Sequence, residues 1–287
     1  MLELKNVDVI FARGTPDENH ALKNINLKIN KGDFITVIGS NGAGKSTLLN
    51  VIAGTYSVEN GSISFAVSGK NKGKTPLLKR FFGAKNKEEG VVDVTRESEF
   101  KRARRIGRIF QNPLLGTAGN MSLEDNLIIC EKKGMRALKF SLNTRKRALL
   151  REKIKQLGLG LEGRLRDNVG MFSGGQRQAL TLLMTVLSNP EILLLDEHTA
   201  ALDPINAELV MNLTREFARS QNLTVLMITH NMKHALETGN RLLMMDSGEI
   251  ILDIDGEEKQ NLTLADLQAR FQAAKHRELE TDEMLLV

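Results

Sequence analysis

Residues 34–46, FITVIGSNGAGKS, drive an almost wholly apolar segment into a glycine-rich turn that closes on Lys45 and Ser46, at the start of a helical pattern over 44–54. An unbroken apolar run of this length fits a central strand of a parallel sheet, covered on both faces. The glycines let successive backbone N–H groups turn inward around a phosphate, and the spacing is that of G-x-x-x-x-G-K-[ST]. Gly39, Ser40, Asn41, Gly42, Ala43 and Gly44 form the turn, and Thr47 completes the nucleotide-binding stretch. Lys45 is expected to reach the β- and γ-phosphates of ATP, and Ser46 to offer its hydroxyl to Mg²⁺. The N-terminus of the helix adds a favourable dipole for anions. A glycine-rich turn with no ligand is the alternative, and the strand–loop–helix context argues against it.

A second apolar strand, EILLLD (191–196), stops at two adjacent acids, Asp196 and Glu197. Neighbouring carboxylates at the edge of an apolar core are costly unless something stabilises them. Beside a phosphate loop, Asp196 is placed to complete a Mg²⁺ shell, and Glu197 to orient and deprotonate an attacking water. The competing account is an acidic pair favoured only by the dipole of the following helix.

A third apolar segment, LTVLMIT (223–229), precedes a helical pattern at 231–238, as EILLLD precedes one at 204–219. Strand–helix alternation of this kind predicts a parallel sheet with helices on its faces. Residues 2–11, 25–29 and 62–67 read as strands of an antiparallel sheet, and 122–188 as mostly helical. RLLMMDS and EIILDID predict a hairpin across Gly248, followed by a helix near 263–275 and a frayed tail.

Composition narrows the setting. No apolar stretch approaches the ~20 residues of a membrane span, and the N-terminus lacks the pattern of a signal peptide. A single cysteine, Cys130, precludes an intramolecular disulfide framework and suits a reducing cytoplasm, where it reads as an inert apolar side chain. The net charge of +5 is unevenly spread: residues 70–108 carry 13 basic against 5 acidic side chains, and 131–155 carry 10 against 2. Such patches suit nucleic acid or anionic lipid headgroups, or are solvated helix faces and a loop. The stretch 69–90 reads as a basic surface insertion.

FSGGQRQ (172–178), Gln111 at the end of GRIFQ, and His230 at the end of LTVLMITH complete the set. Phosphate loop, Gln loop, signature, acidic strand end and switch histidine stand in the order of the ATP-binding cassette (ABC) family, which the chain resembles from about residue 2 to 254. The resemblance implies an α/β phosphate-loop NTPase of ABC type: a RecA-like parallel core, an antiparallel β subdomain and an inserted helical subdomain over about 112–175. It implies that Gln111 senses Mg²⁺ and the attacking water, and that His230 holds the γ-phosphate, a buried structural histidine being the alternative. Ser173, Gly174, Gly175 and Gln176 would meet the ATP held by a second copy, and Asp203 would cross the dimer seam. Phe11 matches the position that stacks on adenine, a core Phe at a strand end being its competitor. His198 replaces the family's usual proline after the catalytic Glu and is expected to cap or pack the following turn.

The same resemblance, with DEHTAALDP and GTAGNMS, implies a bacterial importer ATPase on the cytoplasmic face of the inner membrane. Its partners would be an identical copy, an integral membrane permease and, indirectly, an extracytoplasmic solute-binding protein, with amino acids as cargo. An exporter subunit, or a soluble ATPase of iron–sulfur assembly, is the alternative. Nucleic acid is not an expected partner, because the basic stretches are nearly devoid of stacking aromatics.

Overall fold

The computed structural model describes residues 2–67, 90–131 and 143–273. The basic insertion at 69–90 lies outside these apart from Gly90, as do the middle of the second basic stretch and the tail beyond 273.

In chain order the strands are β1 (Leu2–Phe11), β2 (Asn19–Ile29), β3 (Phe34–Gly39), β4 (Asn60–Val67), β5 (Gly90–Asp93), β6 (Ile106–Ile109), β7 (Ile192–Asp196), β8 (Thr224–Ile228), β9 (Arg241–Asp246) and β10 (Glu249–Asp255). The helices are α1 (Lys45–Ala53), α2 (Glu99–Arg102), α3 (Leu123–Glu131), α4 (Thr144–Lys155), α5 (Gly174–Leu187), α6 (Pro204–Gln221), α7 (Met232–Glu237), α8 (Gly256–Asn261) and α9 (264–273).

The central sheet has the order β10-β9-β3-β8-β7-β6. Its neighbours run parallel from β9 to β6, and β10 pairs antiparallel with β9 as the expected hairpin. Alternation explains the continuous apolar runs. Ile192 and Leu194 of β7, with Leu226 and Ile228 of β8, face the core that also holds Leu48, Leu49 and Ile52 of α1. Leu193, Leu195, Val225 and Met227 face the opposite core, shared with α3, α4, α5 and α6. Both faces are covered, so neither needs polar residues.

The second sheet is antiparallel, in the order β2-β1-β4-β5. Two of its features exceed the expectation. Strand β2 begins at Asn19 rather than near 25, because β1 pairs with it as far as Phe11 opposite Asn19. The four residues of β5, mostly exposed, join through ladder bonds to β4 and the packing of Val92 against the core, which the pattern GVVD does not announce.

A buried arginine ties this sheet to the phosphate-loop helix. Arg102 donates to the carbonyls of Val51 and Ile52 at the end of α1 and to those of Val94 and Thr95 after β5. It thereby gives the Ile52 carbonyl a donor that the helix end lacks, and shares the Val51 carbonyl with the Gly54 N–H. A buried lysine does similar work after α7: Lys259 donates to the carbonyls of Thr238 and Gly239, and burial pushes its amino group down to about 8.

Candidate active site

The loop after β3 is held in place by strands on either side. Gly39 has φ 149°, and a Cβ there would run into the carbonyl of Met245 on β9. Gly44 has φ 92° and sits against the carbonyl of Ala21 on β2. Only glycine tolerates both the backbone angle and the approach. Ser40 Oγ donates a short hydrogen bond to Asp246 at the end of β9. Asp246 has no motif around it in the sequence, and only the sheet order brings it under the loop.

Lys45 is buried, with Nζ 2.9 Å from the carbonyl of Gly39 and 2.7 Å from that of Ser40. Burial lowers its pKa, while Glu197, Asp196 and Asp246 oppose that shift. One residue on, Ser46 Oγ donates to Asp196 Oδ1 at 3.2 Å. Burial raises the Asp196 pKa; the Ser46 hydrogen bond and the charge of Arg108 act the other way. A hydroxyl beside a carboxylate is a hard oxygen pair of the kind Mg²⁺ prefers, with phosphate oxygens and water supplying the remaining ligands.

Glu197 adopts φ 46°, a left-handed turn directly after β7, and its N–H donates to the Ile228 carbonyl at 3.2 Å. This turn presents the carboxylate at the sheet's C-terminal edge, where Oε1 lies 2.8 Å from Nδ1 of His230. Lys45, Ser46, Asp196, Glu197 and His230 thus converge from three adjacent strands, β3, β7 and β8. Crevices beyond the carboxyl ends of the strands are where parallel α/β sheets bind ligands.

The other candidate residues lie further out. Gln111 is exposed, two positions past the end of β6. Asn41, Gly42 and Ser46 are exposed along the loop, Thr47 is half-buried and Ala43 is buried. Phe11 is half-buried at the end of β1, edge-on to Tyr56 with ring centroids 5.2 Å apart. Ser173 and Gln176 form a reciprocal capping box at the start of α5. Gly174 and Gly175 pack against Leu202 and Asn206, and Asp203 caps α6 by accepting from the Asn206 N–H at 3.1 Å. The signature segment therefore adjoins the 202–206 turn, and the capping box of Ser173 and Gln176 bonds within its own helix, not to the phosphate loop.

His198 packs, as expected of one of its two options. Its ring is buried beneath α6 with Nε2 3.1 Å from Thr214 Oγ1, and burial pushes its pKa down to about 4. Cys130 is partly buried against the helical core, and burial raises its thiol pKa.

Besides Asp246, three neighbours of the site escaped the sequence reading. Arg108 Nη2 lies 4.0 Å from Asp196 Oδ2, and its guanidinium sits 4.5 Å over the Phe110 ring. The one available signal was an arginine inside an otherwise apolar strand. Gln178, on α5, bridges two backbone carbonyls beside the site, and Tyr56 accompanies Phe11.

The sheet, the loop and its convergent residues define a phosphate-loop nucleotide-binding domain. Comparison with known proteins narrows the class. The ABC transporter family model matches residues 22–71 and 65–200. A tyrosine transport ATP-binding protein of Clostridioides difficile is 38% identical over 281 residues, covering 96% of this chain and 100% of that one. A phosphonates import ATP-binding protein of Lactobacillus delbrueckii is 31% identical over 256 residues, covering 88% and 89%. Among solved structures, a dimeric ATP-binding cassette in a post-hydrolysis state with ADP and Pi superimposes with a TM-score of 0.66 at 27% identity, covering 89% of this chain and 98% of that one. The chain belongs to the ABC transporter family and is an ATP-hydrolysing transporter subunit.

Proposed function

We propose that two copies of this chain close around two ATP molecules and drive solute import through a separate membrane permease. The observation that carries this reading is the convergence of Lys45, Ser46, Asp196, Glu197 and His230 at one sheet edge. Each copy contributes the loop 39–47 and the acidic pair to one ATP; the exposed Ser173 and Gly174 of the facing copy complete it. Asp203 lies at the seam, and Phe11 packs on the adenine.

Lys45 exchanges its two backbone carbonyls for phosphate oxygens. Ser46 and Asp196 would hold Mg²⁺, which would neutralise charge developing on the phosphates. Glu197 takes the proton of the attacking water, with Gln111 orienting that water. As an imidazolium, His230 donates through Nδ1 to Glu197, which keeps the carboxylate aimed, and through Nε2 to the γ-phosphate. Hydrogen-bond donors set on both sides of the phosphates favour the charge distribution of the transition state.

Import, and an amino acid as cargo, rest on the tyrosine-transport relative and the importer relatives. Leu114, Leu115, Met121 and Met171 are exposed on the segment after Gln111 and the helical region, an apolar surface suited to a permease. Among the described residues no helix is long and apolar enough to cross a membrane, so attachment would be peripheral, with an extracytoplasmic solute-binding protein delivering cargo.

The test is Glu197→Gln in Mg-ATP. It binds nucleotide, hydrolyses it at least about a hundredfold more slowly, and elutes as a dimer, which Ser173→Arg in the same background returns to monomer. Normal turnover by Glu197→Gln refutes the base assignment, and a persistent monomer refutes the shared site. Affinity purification from detergent-solubilised membranes retrieves an integral membrane permease; retrieval of soluble partners alone favours the non-transport alternative.

A further inference from the structure

Gln178 lies on the first turns of α5, two residues past the capping box, and its side chain is fully buried. Its Nε2 donates at 3.2 Å to the carbonyl of Phe110 and at 2.6 Å to that of His198. Phe110 immediately precedes Gln111, and His198 immediately follows Glu197. A single amide therefore joins the helix that begins with the signature segment to the two loops that bear the water-orienting glutamine and the general base. The two carbonyls accept from this amide, and among the described residues no backbone N–H is set against either of them. The amide's own Oε1 has no hydrogen-bond partner there, a cost that is offset by the two bonds Nε2 makes to the loops.

We propose that Gln178 is a positioning residue that links the signature segment of a chain to that chain's own hydrolytic carboxylate. Resting on the shared-site reading above, the link gives each copy a direct route between two ATP molecules. When Ser173 and Gly174 engage the nucleotide bound to the facing copy, any shift of α5 is transmitted by the amide to residues 110–111 and 197–198. The chain's own Glu197 and Gln111 then move into register. Binding at one site thereby favours hydrolysis at the other, a coupling free energy carried by two hydrogen bonds.

The experiment compares wild type with Gln178→Met, which keeps the length but cannot donate, and Gln178→Glu, which donates only when its buried carboxyl is protonated. Steady-state ATP hydrolysis is measured against ATP concentration and pH, with melting temperature as the control for folding. Gln178→Met should keep nucleotide affinity and KM, lose about ten- to a hundredfold in kcat, and show a Hill coefficient falling to about 1. Gln178→Glu should recover relative to wild type as pH falls from 8 to 6, whereas Gln178→Met should not. A folded Gln178→Met with wild-type kcat and cooperativity overturns the proposal, as does a loss confined to KM. Failure of both variants to fold also overturns it, making Gln178 structural only. Glu197→Gln run alongside separates the two readings: if it hydrolyses normally the base assignment falls, whereas if it is inactive while Gln178→Met is normal only the link falls.

Discussion

Nδ1 of His230 lies 2.8 Å from Oε1 of Glu197, although 32 residues separate them along the chain. The two stand at the ends of adjacent parallel strands, where β7 pairs with β8 through Asp196 opposite Ile228. His230 is more than half exposed and Glu197 largely covered, so the histidine can turn toward nucleotide while the carboxylate stays in place.

If this pair aims the base, His230→Ala should cut kcat by about a hundredfold or more while ATP affinity and melting temperature stay near wild type. Steady-state kinetics with a fluorescent-nucleotide titration check this. An unchanged kcat would leave the histidine outside the chemistry.

Lys45 is held by two loop carbonyls and surrounded by Glu197, Asp196 and Asp246. Lys45→Met removes the one cation that the loop itself aims at phosphate. ATP affinity should fall by about ten- to a hundredfold, the value of a charge-assisted hydrogen bond. Calorimetric titration with Mg-ATP measures it, and retained tight binding would contradict the phosphate-loop assignment.

Arg102 serves four carbonyls from a fully buried position. Arg102→Met should cost about 2–4 kcal/mol of stability, because the Ile52 and Thr95 carbonyls lose their donor together, while those of Val51 and Val94 keep the N–H groups of Gly54 and Glu97. Urea denaturation reads the difference. A change below about 0.5 kcal/mol would mean that those carbonyls find other partners.

His198 is neutral in the fold, its pKa lowered from 6.5 to about 4 by burial and then by the charge of His234. Below pH 6.5 the unfolded chain takes up this proton and the folded chain does not. Stability is therefore lost as pH falls from 6.5 through about 4, by up to about 3 kcal/mol. His198→Gln keeps a polar partner for Thr214 without titrating. The stability difference between wild type and variant should change over that interval and be flat above pH 7. A pH-independent difference would show that the ring is hydrated.

Much of the site could be read from local order. FITVIG, EILLLD and LTVLMIT show as buried strands because each lies in a sheet covered on both faces, and GSNGAGKS shows its purpose because glycines and Lys45 act within one turn of chain. Strand β5 and the early start of β2 could not be read, since each is specified by the ladder bonds of a partner strand and not by its own residues. Arg108 and Gln178 were legible only as a charge in a strand and the last letter of a motif.

The sequence by itself determined the class: a phosphate loop, an acidic strand end, a signature and a switch histidine, each a property of a few adjacent residues. Tertiary structure alone decided which groups meet. Strand order sets Asp246 beneath Ser40, Arg108 beside Asp196 and the Gln178 amide between the carbonyls of Phe110 and His198. Such pairings depend on which strands and helices become neighbours, and that choice belongs to the packing of the whole chain.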